Sequence, residues 1–238
     1  MSRAVIPARE RLIFAMDVPA PDAAHRLVDQ LGDAVAFYKL GLELFTSGGA
    51  FQLLDSLVAR GKKVFLDLKL FDVPATVAGA VRNLCNRGIT FVTVHGNQAI
   101  MEAAVKAADG VGILAVTVLT SLDRGDLDDL GFQVDVEALV LSRARRALDA
   151  GCAGVVSSGL EAKLLRAGVD DRLIVVTPGI RPVENRPADD QKRVVGVAEA
   201  FGSGADYIVV GRPIRDAPDP CAAAEAIQST IAGLFPGR

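Results

Sequence analysis

The sequence predicts an α/β chain folded as one domain, a (β/α)8 TIM barrel over residues 1–238, and three observations predict it. Eight short apolar, β-branched runs recur along the chain, and the segments between them have helical spacing of their apolar residues. The 238 residues, half of them apolar, suffice for one sizeable core. No linker or low-complexity stretch divides the chain. Alternating strands and helices imply parallel pairing with right-handed crossovers, and eight units in this length favour a closed barrel. An open doubly wound sheet is the alternative. Its usual nucleotide signatures are missing, since no G-x-G-x-x-G follows the first strand and no phosphate-loop motif occurs.

In order, the first run, Leu12 to Met16, ends in Asp17 and leads to a helix from Pro21 to Leu31, with proline in the first turn where its missing N–H costs nothing. Phe37 to Leu40 carries Lys39 just before Gly41, followed by helical spacing from Ala50 to Ala59. The third run, Val64 to Leu68, is interrupted by Asp67 and followed by Lys69; residues i and i+2 of a strand share a face, so the two point the same way. Asp72 comes next, before Val73-Pro74, whose restricted backbone marks a strand end or a helix start, and a helix is expected from Thr76 to Asn86. Ile89 to Val94 runs into His95-Gly96, with Ala99 to Ala108 as its helix. Gly112 to Leu119 includes Thr117 and meets Thr120-Ser121; a long polar connection to Gln133 precedes a helix from Val136 to Ala150. Gly154 to Val156 ends in Ser157-Ser158-Gly159, before Leu160 to Ala167. Leu173 to Val176 ends in Thr177-Pro178-Gly179-Ile180-Arg181, with a second long connection, Gly179 to Asp190, before Gln191 to Phe201. Tyr207 to Val210 ends in Gly211-Arg212, and Pro220 to Leu234 is the last helix.

Composition narrows the function. A net charge of −3 offers no basic face to nucleic acid or to an anionic membrane. The N-terminal segment lacks a signal peptide's apolar core, and the longest apolar run, Val111 to Leu119, is too short to cross a bilayer, so a cytoplasmic protein is expected. Cys85, Cys152 and Cys221 are odd in number and far apart, which suggests reduced, mostly buried thiols rather than disulfides or zinc. With two histidines and no metal-binding spacing, no metal is expected.

Active sites of parallel barrels lie at the C-terminal ends of the strands, and here those ends carry the chain's concentrated polar chemistry. An Asp and Lys pair can be a simple strand-capping ion pair, and strand-end Ser or Thr is commonly a turn or helix cap. Charges inside an apolar strand are nevertheless costly unless paired, and so many polar ends on one rim point to a site. The loops after strands seven and eight hold phosphate in many barrels. Gly179 with Arg181, and Gly211 with Arg212, supply the open backbone and planar cations for it. The composite predicts a phosphorylated, anionic metabolite handled by acid, base or proton-transfer chemistry.

Together these residues closely resemble the orotidine 5′-monophosphate decarboxylase family. The resemblance covers essentially the whole chain: Ala15-Met16-Asp17, Tyr38-Lys39-Leu40-Gly41, the Asp-x-Lys-x-x-Asp-x-Pro-x-Thr run from Asp67 to Thr76, Leu119-Thr120-Ser121, Thr177 to Arg181, Asp190-Gln191, and Val210 to Ile214. It implies the cofactor-independent formation of UMP and CO₂ in pyrimidine synthesis. Lys69 would be the proton donor, in a charged network with Lys39, Asp67 and Asp72. It further implies a homodimer in which Asp72 and Thr76 reach the neighbouring subunit's site. Asp17 and Lys39 would contact the ribose with the partner's Thr76, Thr120 and Ser121 the pyrimidine, and Arg181, Gln191, Gly211 and Arg212 the phosphate. Two residues depart from the family run, Phe71 where histidine is usual and Ala75 where asparagine is, both outside the charged network. The segment before Gln191 is also about one residue longer than the family form.

Two other readings use the same residues. A sugar-phosphate relative of this barrel, such as a 3-keto-gulonate 6-phosphate decarboxylase or hexulose-phosphate synthase, shares the Asp-x-Lys-x-x-Asp run but works through a magnesium-stabilised enediolate. Thr120, Ser121 and Gln191 suit a pyrimidine better. A non-catalytic nucleotide sensor would have no need for Asp67 and Lys69, which are both present.

Overall fold

The computed structural model describes residues 5–181 and 194–237. Strands and helices alternate as β1 (Leu12–Met16), α1 (Pro21–Leu31), β2 (Phe37–Gly41), α2 (Leu42–Thr46), α3 (Ala50–Ala59), β3 (Lys63–Leu70), α4 (Pro74–Leu84) and β4 (Ile89–His95). They continue as α5 (Gln98–Ala107), β5 (Gly112–Val116), α6 (Arg124–Asp129), α7 (Val136–Asp149), β6 (Gly154–Val156) and α8 (Gly159–Gly168). The chain then forms β7 (Ile174–Thr177), α9 (Val197–Gly202), β8 (Tyr207–Val210), α10 (Arg212–Arg215) and α11 (Pro220–Leu234). The eight strands pair in parallel in sequence order, and β8 pairs with β1 to close the barrel. The doubly wound alternative is therefore excluded.

Alternation along each strand separates two layers. Leu12, Phe14 and Met16 pack outward against α1 residues such as Val28 and Leu31, whereas Ile13 and Ala15 point into the barrel. The interior is filled by Phe37, Phe65, Phe91, Leu114, Val176, Tyr207 and Val209. Four of these are rings packed together, with centroids 5.8 Å apart for Phe37–Phe91 and for Phe37–Tyr207 and 6.3 Å for Phe65–Phe91. Removing each ring from water contributes about 1.5–3 kcal/mol. This aromatic plug is the floor on which the polar residues nearer the strand C-termini stand.

Gly154, at the start of β6, is required by close packing. A Cβ there would lie 2.3 Å from the Ile174 carbonyl oxygen and 2.6 Å from the Ile174 Cβ. Backbone in a neighbouring strand cannot step aside, so Gly154→Ala is expected to destabilise the fold by about 1–3 kcal/mol. A urea unfolding curve with an unchanged midpoint would show that β6 and β7 separate freely.

The structure corrects several sequence expectations. β5 stops at Val116 rather than Leu119. Its neighbour β6 ends at Val156, so no ladder is available beyond that point, and the Thr117 carbonyl is taken by the Arg143 guanidinium. The fourth helix starts at Pro74 and ends at Leu84, two residues earlier at each end than expected. The long connection after β5 contains α6, whose start carries an Asp123/Asp126 capping box: each carboxylate accepts the other residue's backbone N–H. α9 begins at Val197, and residues 191–193 of the expected helix lie outside the described residues. Only Cys152 among the three free cysteines is buried, and its thiol is pushed up to about 12 by burial; Cys85 and Cys221 are half-buried. Among the described residues no helix is long and apolar enough to cross a membrane.

Candidate active site

A cavity of about 570 Å³ opens at the C-terminal ends of the strands. One side of it, above the aromatic plug, is charged. Asp17 follows β1, Lys39 lies on β2, and Asp67 and Lys69 lie on β3. The Lys39 Nζ donates to Asp17 Oδ1 at 2.9 Å and lies 3.6 Å from Asp67 Oδ2, which in turn is 2.9 Å from the Lys69 Nζ. The charges therefore alternate along Asp17, Lys39, Asp67 and Lys69. Gly41 makes room for this row, because a Cβ there would stand 3.1 Å from both Asp17 Oδ1 and Lys39 Nζ.

Alternation is what lets the inner pair stay ionised. Burial by itself would lower the Lys39 pKa, but Asp67 and Asp17 outweigh it and hold the ammonium above its ordinary value. Burial would likewise raise the Asp67 pKa, but the Lys39 and Lys69 ammoniums, with hydrogen bonds from Lys69 and Thr93, hold the carboxyl below the usual range. Removing one partner would strand a buried charge, at a cost of about 3–5 kcal/mol.

Asp67 and Lys69 meet as expected, but not by flat alternation. The ladder between β3 and β4 passes from Leu66↔Val92 directly to Leu70↔Val94, so four residues of β3 oppose two of β4. Within this bulge Lys69 sits at φ +48°, the left-handed region. A side chain there costs about 1–2 kcal/mol, which the surrounding structure must offset. Thr93 on β4 spans the bulge: its Oγ1 accepts the Lys69 backbone N–H at 2.9 Å and donates to Asp67 Oδ1 at 3.0 Å.

The opposite side of the cavity is apolar, with Val116, Val118 and Leu119 from the end of β5, Val156 from β6, Pro178 after β7, and Val209 from β8. Thr120 and Ser121 join it from the connection after β5. Cations gather on the loops after β7 and β8. Arg181 follows Gly179, whose φ of +75° is the left-handed turn glycine permits, and Arg212 follows Gly211. Arg215 also lines the cavity, donating to the Asp17 carbonyl at 2.6 Å and pairing with Asp216. One cavity thus offers alternating charge, an apolar wall with hydroxyls, and a cationic end.

Of the residues singled out from sequence, Asp17, Lys39, Asp67, Lys69, Thr120, Ser121, Arg181, Gly211 and Arg212 all line this cavity. Asp72 and Thr76 do not; both are exposed, and the Asp72 carboxylate accepts the Val73 N–H at 2.6 Å. Gln191 lies outside the described residues. Several strand-end polar groups serve the fold instead. Ser157 donates to Glu161 at 3.0 Å, Ser158 caps α8, and Thr117 donates to the Val156 carbonyl at 3.0 Å. His95 packs on Phe71, ring centroids 4.7 Å apart, and its pKa is lowered by burial and the nearby Arg143.

Sequence reasoning missed Thr93 and Arg215. Thr93 was within reach, because Phe91-x-Thr93 repeats the spacing of Phe37-x-Lys39 and Phe65-x-Asp67, each placing a polar group one pleat above a ring of the plug. Nothing local marks Arg215, which reaches Asp17 only because β8 closes on β1.

The geometry has close relatives. A protein of Methylococcus capsulatus named orotidine 5′-phosphate decarboxylase is 65% identical over 235 residues, covering 99% of this chain and 97% of its own length. One of the same name from Xanthomonas oryzae pv. oryzae is 53% identical, covering 97% and 96%. The crystal structure of orotidine 5′-phosphate decarboxylase from Lactobacillus acidophilus matches with a TM-score of 0.82 at 34% identity, over 93% of this chain and 99% of that one. The model of the orotidine 5′-phosphate decarboxylase / HUMPS family matches residues 10–227, which includes every strand and the whole charged row. By its sequence, its barrel and the residues at the barrel's mouth, the chain belongs to the orotidine 5′-phosphate decarboxylase / HUMPS family.

Proposed function

We propose that the protein decarboxylates orotidine 5′-monophosphate to UMP and CO₂ in pyrimidine biosynthesis, without a cofactor, with Lys69 as the proton donor. The observation that carries this reading is the Lys69 ammonium held 2.9 Å from the buried Asp67 carboxylate, in a cavity that ends in Arg181 and Arg212. Loss of CO₂ breaks the bond from C6 to the carboxylate and leaves the electron pair in an sp² orbital at C6. The ring cannot delocalise that pair well, and the enzyme must lower the barrier by about 20 kcal/mol.

Asp67, next to the substrate carboxylate, disfavours the bound ground state, and that repulsion disappears as CO₂ departs. Lys69 stabilises the growing negative charge, then transfers a proton from Nζ to C6 and regains one from solvent. The apolar wall of Val116, Val118, Val156 and Val209 suits the neutral CO₂ better than the carboxylate it replaces. Phosphate contacts at Arg181 and Arg212 and at the Gly211 backbone, with Gln191, supply remote binding energy that is expressed in the transition state. Asp17 and Lys39 hold ribose hydroxyls, and Thr120 and Ser121 the pyrimidine edge.

In the same reading the catalytic unit is a homodimer, with Asp72 and Thr76 serving the partner's site. Phe71 and Val73 beside them are 65% and 62% exposed, apolar surface of the kind a second subunit covers. The compartment proposed is the cytoplasm, in keeping with three free cysteines.

The family's sugar-phosphate members are the competing reading. The test is the absorbance of orotidine 5′-monophosphate incubated with purified protein, with and without EDTA. Loss of the orotate absorption at the same rate in both is the expected result. No turnover, or turnover of a hexulose or keto-gulonate phosphate that EDTA abolishes, would move the same Asp and Lys pair to enediolate chemistry.

A further inference from the structure

We infer that Thr93 is a positioning residue for the reaction, its one hydroxyl clamping the β3 bulge from which Asp67 and Lys69 project. The inference rests on the proposed roles of those two residues. Thr93 is fully buried and does not line the cavity, so it acts on the substrate only through its neighbours.

The proton count makes the clamp directional. A hydroxyl has one hydrogen to give and lone pairs to receive. The Lys69 backbone N–H occupies the acceptor side at 2.9 Å, and the hydrogen goes to Asp67 Oδ1 at 3.0 Å rather than to the Leu66 carbonyl at 3.5 Å. Each bond does a separate job. The first holds the left-handed backbone at Lys69, in a stretch where the β3–β4 ladder offers that N–H no strand partner. The second turns Asp67 so that Oδ2 faces Lys69 at 2.9 Å and Lys39 at 3.6 Å. The ammonium that delivers the proton is thus located from both ends, by its own backbone and by its carboxylate partner.

Valine fills the same volume as threonine but lacks the hydroxyl. In Thr93→Val the Lys69 N–H loses its acceptor and Asp67 loses a donor, and kcat is expected to fall about 10–100-fold with KM within a few-fold of wild type, as for a lost hydrogen bond to a charged group. The acid limb of the pH profile of kcat/KM is expected to move to higher pH. Asp67 is faced by Lys39 from β2, itself paired with Asp17, by Lys69 from its own strand, and by Thr93 from β4. With those charges unchanged, losing the Thr93 donor weakens the ionised carboxylate. Thr93→Ser keeps the hydroxyl and is expected to restore both kcat and the acid limb.

The experiment compares wild type, Thr93→Val, Thr93→Ala, Thr93→Ser and Lys69→Ala with orotidine 5′-monophosphate, with UMP affinity and a thermal melt measured for each. If Thr93→Val does not fold, the pair Thr93→Ala and Thr93→Ser makes the same comparison. Wild-type kcat and an unmoved acid limb in a folded variant lacking the hydroxyl would overturn the inference. So would a serine variant as impaired as valine, which would make the methyl and its packing the operative part. Failure of the underlying reading looks different, since there Lys69→Ala itself keeps turning over.

Discussion

Lys69→Ala is expected to lower kcat for orotidine 5′-monophosphate by at least about 10⁴-fold, the combined scale of a lost general acid and a lost electrostatic stabiliser, while UMP still binds. The ammonium is the only donor that the Asp67 geometry aims into the cavity from β3, and it stands 2.9 Å from the carboxylate that pairs with it. Arg181 and Arg212, the residues proposed to hold the phosphate, follow β7 and β8 rather than β3, so product affinity measured by calorimetry should change far less than turnover. A variant that retains turnover would remove Lys69 from the chemical step. Loss of turnover and of UMP affinity together, with an altered melt, would instead point to a collapsed charge row.

Mixing inactive Lys69→Ala subunits with inactive Asp72→Ala subunits is expected to restore about a quarter of wild-type activity after random exchange, since half the dimers are mixed and each has one intact site. In such a dimer the Asp72→Ala subunit keeps its own Lys69 and receives Asp72 from its partner. The physical basis is that Asp72 lies just past the end of β3 yet outside its own cavity, on a turn whose neighbours Phe71 and Val73 are exposed. If Asp72 acted within its own subunit, both sites of every mixed dimer would be inactive. No recovery after exchange has been confirmed by mass spectrometry would refute the shared site.

The barrel could be read from the eight recurring strand and helix units, and the Lys39, Asp67 and Lys69 part of the charged row from residues 37–70 alone, because strand alternation is a local property. Phe37 and Lys39, and Phe65 and Asp67, project to the same side whatever the rest of the chain does. Thr93 obeys the same rule, but threonine is an ordinary strand residue, and its hydroxyl carries meaning only when β3 lies alongside. The bulge at Lys69 could not be read at all, since it exists as a mismatch between two strands' registers. The α6 capping box, by contrast, was local and legible in Asp123-x-x-Asp126, though hidden inside a stretch whose polarity suggested only a loop.

By itself the sequence determined the eight-fold repeat and the presence of paired charges at one rim. Both follow from periodicity and from the cost of burying an unpaired charge. Tertiary structure alone decided which polar strand ends reach the cavity: Thr120 and Arg181 line it, while Thr117 is taken by the Val156 carbonyl, Ser157 by the Glu161 carboxylate and Ser158 by the start of α8. That choice depends on where each neighbouring strand stops and which carbonyls it leaves unpaired, a relation between distant segments that exists only once the barrel has closed.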